Sequence, residues 1–380
     1  MKFTVPSNEL MQHLQACARA ISPKSTTAMP VLGSIFFSIE GNVLTLTAAD
    51  IANRVTTSLE VNNHGENGAF LVAERMILDP IKELADQPIE VSVNSESHDA
   101  LITYNNGQYS FVVDSAEVYP AAPVLEGNIQ KVELTAEQLL NGLSATQNAT
   151  SKDERRPIMT GVHLDIFEDN MVFVASDGHI LIKYTDHNIK SNIRTSFCLS
   201  DRATTLLTKT LLPREDGNVL LSFNHEYAIF ELSGYTLSAR LLEGRYPNYN
   251  SVIPADNPYA ITVDRISLFS AIKRVSVFAN QASGLIRLEI NREQIKISAN
   301  DVDFSIAAEE RVPASCSVED VNIRIGFDSS MLITMLQNMD SEQVTICLAD
   351  QTRAGLILPT ETPDGIELCG LVIPMKLIGE

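Results

Sequence analysis

The chain has 380 residues, with 28 Lys and Arg against 48 Asp and Glu, for a net charge of −20. Taken at face value, that balance argues against nucleic acid, because phosphate binding depends on Lys and Arg. Five cysteines with no paired spacing point to buried thiols in a reducing cytosol rather than disulfides or zinc. No apolar run reaches the length of a membrane span, and the N-terminus lacks a signal-peptide core.

In chain order, the first predicted strand, Lys2-Phe3-Thr4-Val5, runs into a helix over Ser7–Ile21 with Leu10, Leu14, Cys17 and Ile21 on one face. Gly33 precedes an apolar strand, Ser34-Ile35-Phe36-Phe37. A turn and a second strand then end in Thr47-Ala48-Ala49-Asp50. Phe70-Leu71-Val72 leads to a helix over Ala73–Leu84, and strands over Ile89–Val93 and Ala100–Val113 close the unit.

The same succession returns twice. Leu10, Leu139 and Leu268 open equivalent helices and lie 129 apart both times (139 − 10, 268 − 139), so the chain holds three tandem copies of one unit. In the second copy Gly161 precedes Val162-His163-Leu164, and Phe197-Cys198-Leu199 leads to a helix over Asp201–Leu212. In the third, Gly284 precedes Leu285-Ile286-Arg287-Leu288, and Ile325-Gly326-Phe327 leads to one over Ser329–Met339. Ser200 and Asp328 stand at the N-cap positions of these last two helices. Asp177 and Asp301 end strands as Asp50 does, where a carboxylate can accept from the backbone two residues on. Each copy reads as about eight strands and two helices, an α+β class with helices on one face of antiparallel sheets. Proline-rich junctions at Pro120–Pro123 and Pro254–Pro258 set domains of 1–122, 128–254 and 258–380.

Charge is unevenly distributed. Predicted helices carry Arg19, Arg75, Lys82, Arg202, Lys209, Arg265, Lys273 and Arg274, whereas loops carry Glu60, Glu66, Glu168, Asp169, Glu215, Asp216, Glu309 and Glu310. The segregation permits a basic helical surface on an acidic protein, although on the helices alone ordinary solvated faces are the modestly better account.

Three clusters hold candidate chemistry. Ser176-Asp177-Gly178-His179 places an Asp two residues before a His and next to a Ser, but the sister copies carry Asp50 and Asp301 at this turn with no His, so a turn accounts for it. Arg155-Arg156-Pro157-Ile158-Met159-Thr160-Gly161 reads either as a solvated loop or as a phosphate contact with an apolar rim from Ile158 and Met159. Leu371-Val372-Ile373-Pro374-Met375-Lys376-Leu377 reads as a final strand whose pairing Pro374 ends, leaving Met375 and Leu377 to form an apolar surface groove. No metal-spaced His pair, phosphate loop, dinucleotide fingerprint or nucleophile elbow occurs, so the sequence supports neither catalysis nor a cofactor.

Taken in order, Met1-Lys2-Phe3-Thr4-Val5, Met29-Pro30-Val31-Leu32-Gly33, Arg156-Pro157-Ile158-Met159-Thr160-Gly161-Val162, Ser176-Asp177-Gly178-His179, Gly244-Arg245-Tyr246-Pro247-Asn248-Tyr249, Ile325-Gly326-Phe327 and Ile373-Pro374-Met375-Lys376-Leu377 resemble the bacterial DNA polymerase III beta subunits, the sliding clamps. The resemblance covers the whole chain. It implies three clamp domains with antiparallel sheets outside and two helices per domain inside, closing as a head-to-tail homodimeric ring around duplex DNA. Such a ring is cytoplasmic and non-catalytic, and it confers processivity on the replicative polymerase. The implied partners are sequence-independent double-stranded DNA, the polymerase alpha subunit, the clamp loader, and other repair and replication proteins with a clamp-binding motif.

The resemblance further implies that partners insert a short peptide between the second and third domains. Carried over by position, that groove is Met159, Ser176, Gly178, His179, Ile180, Leu181, Pro247, Val252, Thr352, Leu371, Val372, Ile373, Pro374, Met375, Lys376 and Leu377, with Asp328 and Met331 as outlying members. Arg75, Lys152, Arg155 and Arg202 are the expected DNA-facing cations. Phe111 and Val113 are expected to meet Val277 and Phe278 of a second copy. Met159, Ile180, Ser251 and Ser283 depart from the family's usual residues, and Ile378-Gly379-Glu380 extends past its usual end.

If each repeat presents its two helices to a common centre and a duplex is enclosed, the repeat count asks for two chains. Six helices about 10 Å apart close a circle roughly 19 Å across their axes, leaving roughly 9 Å inside, whereas twelve leave roughly 28 Å, room for a duplex. The competing readings are a monomeric three-domain adaptor that binds peptides without encircling DNA, and an enzyme using Asp177 and His179.

Overall fold

The computed structural model describes residues 1–319 and 321–377, so the Ile378-Gly379-Glu380 extension lies outside the described residues. In the first copy β1 (Lys2–Pro6) leads to α1 (Ser7–Ala18), α2 (Pro23–Ala28), β2 (Ser34–Glu40), β3 (Val43–Ala49), β4 (Asn53–Glu60), β5 (Asn62–Asn63) and β6 (Gly68–Ala73). Then come α3 (Glu74–Lys82), β7 (Pro88–Val93), β8 (Asp99–Tyr104), β9 (Gly107–Val112) and β10 (Asp114–Ser115). The second copy holds β11 (Gln130–Thr135), α4 (Ala136–Gln147), β12 (Gly161–Ile166), β13 (Met171–Ser176), β14 (Ile180–Asp186), β15 (Thr195–Ser200), α5 (Asp201–Leu206), β16 (Asn218–Phe223), β17 (Tyr227–Glu231) and β18 (Tyr235–Arg240). The third holds β19 (Tyr259–Asp264), α6 (Arg265–Ser276), β20 (Leu285–Ile290), β21 (Gln294–Asp301), β22 (Ile306–Cys316), β23 (Ile323–Asp328), α7 (Ser329–Gln337), β24 (Gln343–Leu348), β25 (Gly355–Pro359) and β26 (Ile366–Val372).

Among the described residues the second and third copies each have the expected eight strands and two helices. The first adds two two-residue strands and α2, a helix that begins at Pro23, where a missing N–H costs nothing. The predicted 201–212 helix is α-helical only to Leu206. It then widens into a π turn over Leu207–Leu211 and tightens to a 3-10 turn at Leu212–Arg214, where Pro213 lacks the N–H needed to continue.

The starts of α4, α5, α6 and α7 follow side-chain capping, whereas α1, α2 and α3 begin without a side-chain cap. Asp264 and Asp328 accept from the backbone of Ser267 (2.7 Å) and Ser330 (2.8 Å), and Ser200 Oγ accepts from Ala203 (3.2 Å). At α4, Thr135 Oγ1 accepts from the Gln138 N–H while Gln138 Oε1 accepts from the Thr135 N–H, a reciprocal capping box. All three strand-end aspartates fold as their type predicts. Asp50, Asp177 and Asp301 each accept with Oδ1 from the N–H groups two and three residues on.

The chain packs as two compact units that cut through the central copy. One comprises Met1–Leu140 and Thr205–Leu241, and the other Asn141–Thr204 with the chain from Leu242 onward. In the first unit a nine-stranded antiparallel sheet of order β10-β6-β2-β3-β4-β18-β17-β16-β11 joins first-copy strands to second-copy strands through β4 and β18. A separate sheet runs β5-β1-β7-β8-β9. In the second unit a twelve-stranded sheet, β15-β12-β13-β14-β26-β25-β24-β19-β22-β21-β20-β23, crosses from second to third copy through β14 and β26. Each copy therefore covers an edge its neighbour would otherwise expose. In the first unit α1 packs on β3 and β4 and against α3, burying Leu10, Leu14 and Cys17; in the second, α6 packs on β21 and β22 and against α7. Among the described residues no helix is long and apolar enough to cross a membrane, and no cluster of three His, Cys, Asp or Glu is placed to hold a metal.

Candidate functional site

The site is assembled within the second unit by the β14–β26 ladder. Ile180 pairs with Val372 and Leu181 with Leu371, and the Ile373 N–H still donates to the His179 carbonyl at 2.9 Å. Pro374 then ends this pairing, as its missing N–H requires. The chain crosses to the far edge strand, where the Met375 N–H donates to the Gly326 carbonyl of β23 at 2.8 Å. This C-terminal strap is half-buried rather than free at the surface: Met375 and Leu377 are both partly covered, and Ile373 and Lys376 are exposed.

The ladder residues Leu181 and Leu371 belong to an apolar cluster, the floor of the site, with Val172, Val174, Cys198, Tyr246, Tyr249 and Leu356, and Ile158 and Ile253 pack against it. Tyr246 and Tyr249 bring in the segment carrying Pro247 and Val252, both exposed, while Ser251 Oγ is turned back to the Asn248 carbonyl (2.7 Å). Ile180 and Met159 are both buried. Thr352 sits on the β24–β25 loop, its hydroxyl and N–H both held at 2.7 Å by Asp350. Asp328 is committed to capping α7, on which Met331 is half-buried, and Ser283 Oγ accepts from the Leu285 N–H at 3.3 Å.

The Ser176–His179 turn forms a rim and not a reactive centre. Ser176 Oγ donates to the Ile180 carbonyl (2.7 Å) and accepts from the Gly178 N–H (3.1 Å). Asp177 Oδ1 is taken by the N–H groups of His179 and Ile180, so it does not orient the exposed His179 ring. Gly178 has φ +95°, the left-handed region that glycine alone enters freely, and Arg156 steadies this turn by donating to the Asp177 carbonyl at 3.3 Å.

A polar network that residue types alone did not reveal supports the floor. Tyr249 donates to Asp165 Oδ2 at 2.5 Å, His163 Nε2 lies 3.2 Å from Asp165 Oδ1, and the His163 ring stacks on Tyr246 with centroids 4.5 Å apart. Burial pushes the Asp165 carboxyl up, but the hydrogen bonds from His163 and Tyr249 outweigh it and hold it below the usual carboxylate range. The signal available in the sequence was only the alternation of His163 and Asp165 on one strand face.

The expected cations sit on α3, on α5 and on the loop after α4. Arg75 is exposed on α3, and Arg202 is half-buried on α5 with a partner of its own. Lys152 pairs with Asp201 at 3.3 Å and Arg155 with Asp153 at 2.8 Å. Two other helical cations are engaged within their own chain: Arg265 donates to the Ser341 and Leu336 carbonyls at the end of α7, and the exposed Arg274 pairs with Glu310. At the expected joint, Phe111 and Val113 are buried in their own unit and the outward residue between them is Val112, because β9 alternates and its neighbours fill the core. Val277 and Phe278 are exposed, as are Val302, Phe304 and Ile306, which had not been singled out.

Comparison with known proteins gives one consistent result. Residues 1–123, 133–248 and 250–374 match the N-terminal, central and C-terminal domains of the DNA polymerase III beta subunit. The chain is 29% identical to the beta sliding clamp of Synechococcus elongatus over 99% of this chain and 100% of that one, and 25% identical to that of Haemophilus influenzae with the same coverage. A solved sliding clamp from Pseudomonas aeruginosa bound to griselimycin superposes with TM-score 0.92 at 25% identity, over 99% of this chain and 100% of that one. The beta subunit of Thermotoga maritima shares the fold, with TM-score 0.89 at 21% identity and 99% coverage of both.

Proposed function

The chain belongs to the DNA polymerase III beta subunit family, and from that membership we propose that it is a DNA sliding clamp, a non-catalytic homodimeric ring of the cytoplasm that encircles duplex DNA and confers processivity on the replicative polymerase. The observation that carries this reading is the whole-length match of three consecutive clamp domains. We read those domains as 1–122, 128–254 and 258–380. Twelve helices from two chains leave roughly 28 Å inside, so two copies are needed to admit a duplex.

Two free strand edges support a head-to-tail joint. β9 ends its sheet, and β22 pairs with β19 over Ala314–Cys316 alone, so Ile306–Pro313 is bonded on one side only. The exposed Val112 marks the first edge, and Val277, Phe278, Val302, Phe304 and Ile306 supply apolar surface in the second unit. A heterologous joint of this kind closes after two copies under cyclic symmetry.

Arg75, Lys152, Arg155 and Arg202 face the duplex in this reading. The pairs of Lys152 and Arg155 are solvent-exposed and screened, so they exchange readily for phosphate and give a sequence-independent, sliding grip. The strap and floor of the second unit take a short peptide with bulky apolar residues and a glutamine from the polymerase alpha subunit, the clamp loader, and repair and replication proteins.

The test is retention by topology. After loading by a clamp loader, the protein is expected to stay on a nicked circle and to leave when the circle is linearised. Equal loss from both forms would discard the ring and leave a peptide-binding adaptor.

A further inference from the structure

The first unit contains a second version of the same construction with different chemistry. Leu32, Asp50 and Tyr119 stand 127 positions before Met159, Asp177 and Tyr246 (159 − 32, 177 − 50, 246 − 119). The backbone agrees at each point. The Leu32 N–H donates to the Met29 carbonyl as Met159 does to Arg156, both at 3.0 Å. Asp50 Oδ1 closes its turn on Ala52 and Asn53 as Asp177 does on His179 and Ile180. Across the strand pair, the Arg240 N–H donates to the Ala52 carbonyl at 2.8 Å, the counterpart of Ile373 to His179 at 2.9 Å.

Between these elements lies a cavity of about 220 Å³, with Met29, Leu32, Ile51, Asn53, Arg54 and Pro120 in its wall. It is smaller than the roughly 300 Å³ at which small-molecule pockets begin, and so fits a side chain rather than a whole ligand. Met29 and Ile51 are 44% and 65% exposed, unusual for large apolar residues side by side in one cavity wall.

The two constructions differ where Asn53-Arg54 stands in place of Ile180-Leu181. Asn53 is 3% exposed and gives its Nδ2 to Asp50, while its Oδ1 has no partner among the described residues. The Arg54 guanidinium lies over the Tyr119 ring, 5.4 Å from its centroid, and donates to the Pro120 carbonyl. No carboxylate among the described residues pairs with it, and burial lowers its pKa. A half-buried cation without a counter-charge favours a carboxylate arriving at it, whereas Asn53 Oδ1 is sealed from solvent and takes no part.

We propose that this cavity is a second peptide-docking site, one that takes an extended peptide placing an aliphatic side chain between Met29 and Ile51 and a carboxylate on Arg54. The groove of the second unit serves only as its template.

The experiment uses the full chain with isotope-labelled Ile and Met methyl groups, titrated with acetyl-Leu-Asp-Leu-Asp-amide and with acetyl-Leu-Asn-Leu-Asn-amide. Saturable shifts are expected at Met29 and Ile51 with the acidic peptide, and affinity is expected to fall about 10-fold or more for the neutral one and for Arg54→Gln. Because Arg54 also braces Tyr119, Ile51→Ser serves as a second variant; it should weaken binding read at Met29 without changing the melting temperature. Ile373 and Met375 report the other groove separately, so its failure is seen on its own. Shifts confined to Ile373 and Met375, none at Met29 and Ile51 up to millimolar peptide, or equal affinity for both peptides would each overturn the proposal.

Discussion

Gly326 and Met375 are joined by a backbone hydrogen bond of 2.8 Å so close that a Cβ on Gly326 would stand 2.8 Å from the Met375 carbonyl oxygen and 2.9 Å from Leu377 Cδ2. The glycine is therefore what lets the C-terminal strap lie on β23, and its role is clearance rather than an unusual φ.

From that clearance we expect Gly326→Ala to push the strap off the sheet, at a cost of about 1–3 kcal/mol in stability, as overpacking does. Urea denaturation measures the cost, and amide exchange at Met375 measures the release. A variant with unchanged exchange at Met375 would show that the strap is held elsewhere.

Replacing Met375 and Leu377 together by Ala is expected to leave fold and oligomeric state intact while weakening a partner peptide by about 2 kcal/mol or more, as loss of apolar anchors does. Calorimetric titration with a glutamine-containing clamp-binding peptide decides it. Unchanged affinity would remove the strap from the binding site.

The Asp165–Tyr249 bond makes a pH prediction. A carboxyl held below its unfolded value contributes stability above that value, about 3.9, and loses the contribution as pH falls through the folded value. Asp165→Asn should thus be less stable than the wild type at pH 7, by about 1–3 kcal/mol, and converge with it in acid. Parallel stability curves across that range would mean that the carboxylate charge does not matter.

At the proposed joint, Phe278→Asp places a charge in exposed apolar surface and is expected to shift the protein from dimer to monomer in sedimentation without lowering the melting temperature of the chain. Phe111→Ala should instead lower stability by about 3–5 kcal/mol, because Phe111 is buried in its own unit. A Phe278→Asp protein that sediments as the wild type would move the joint elsewhere.

The repeat, the strand and helix order, the N-caps at Ser200 and Asp328 and the turn-closing role of Asp50, Asp177 and Asp301 were all legible in the sequence, because periodicity and capping act over a few residues. What the tertiary structure decided is which strands meet across copies. The β4–β18 and β14–β26 ladders divide the central copy between two units. The exchange of Ile180-Leu181 for Asn53-Arg54 in the repeated motif is a sequence difference, but the cavity beside Arg54 is walled only once β18 pairs with β4. Burial of Phe111 and Met159, the π turn after Leu206 and the Tyr249–Asp165–His163 network depend likewise on neighbours far along the chain. A residue's type sets what it can bond, but which groups come within reach, and whether water is excluded there, is fixed only when distant strands pack.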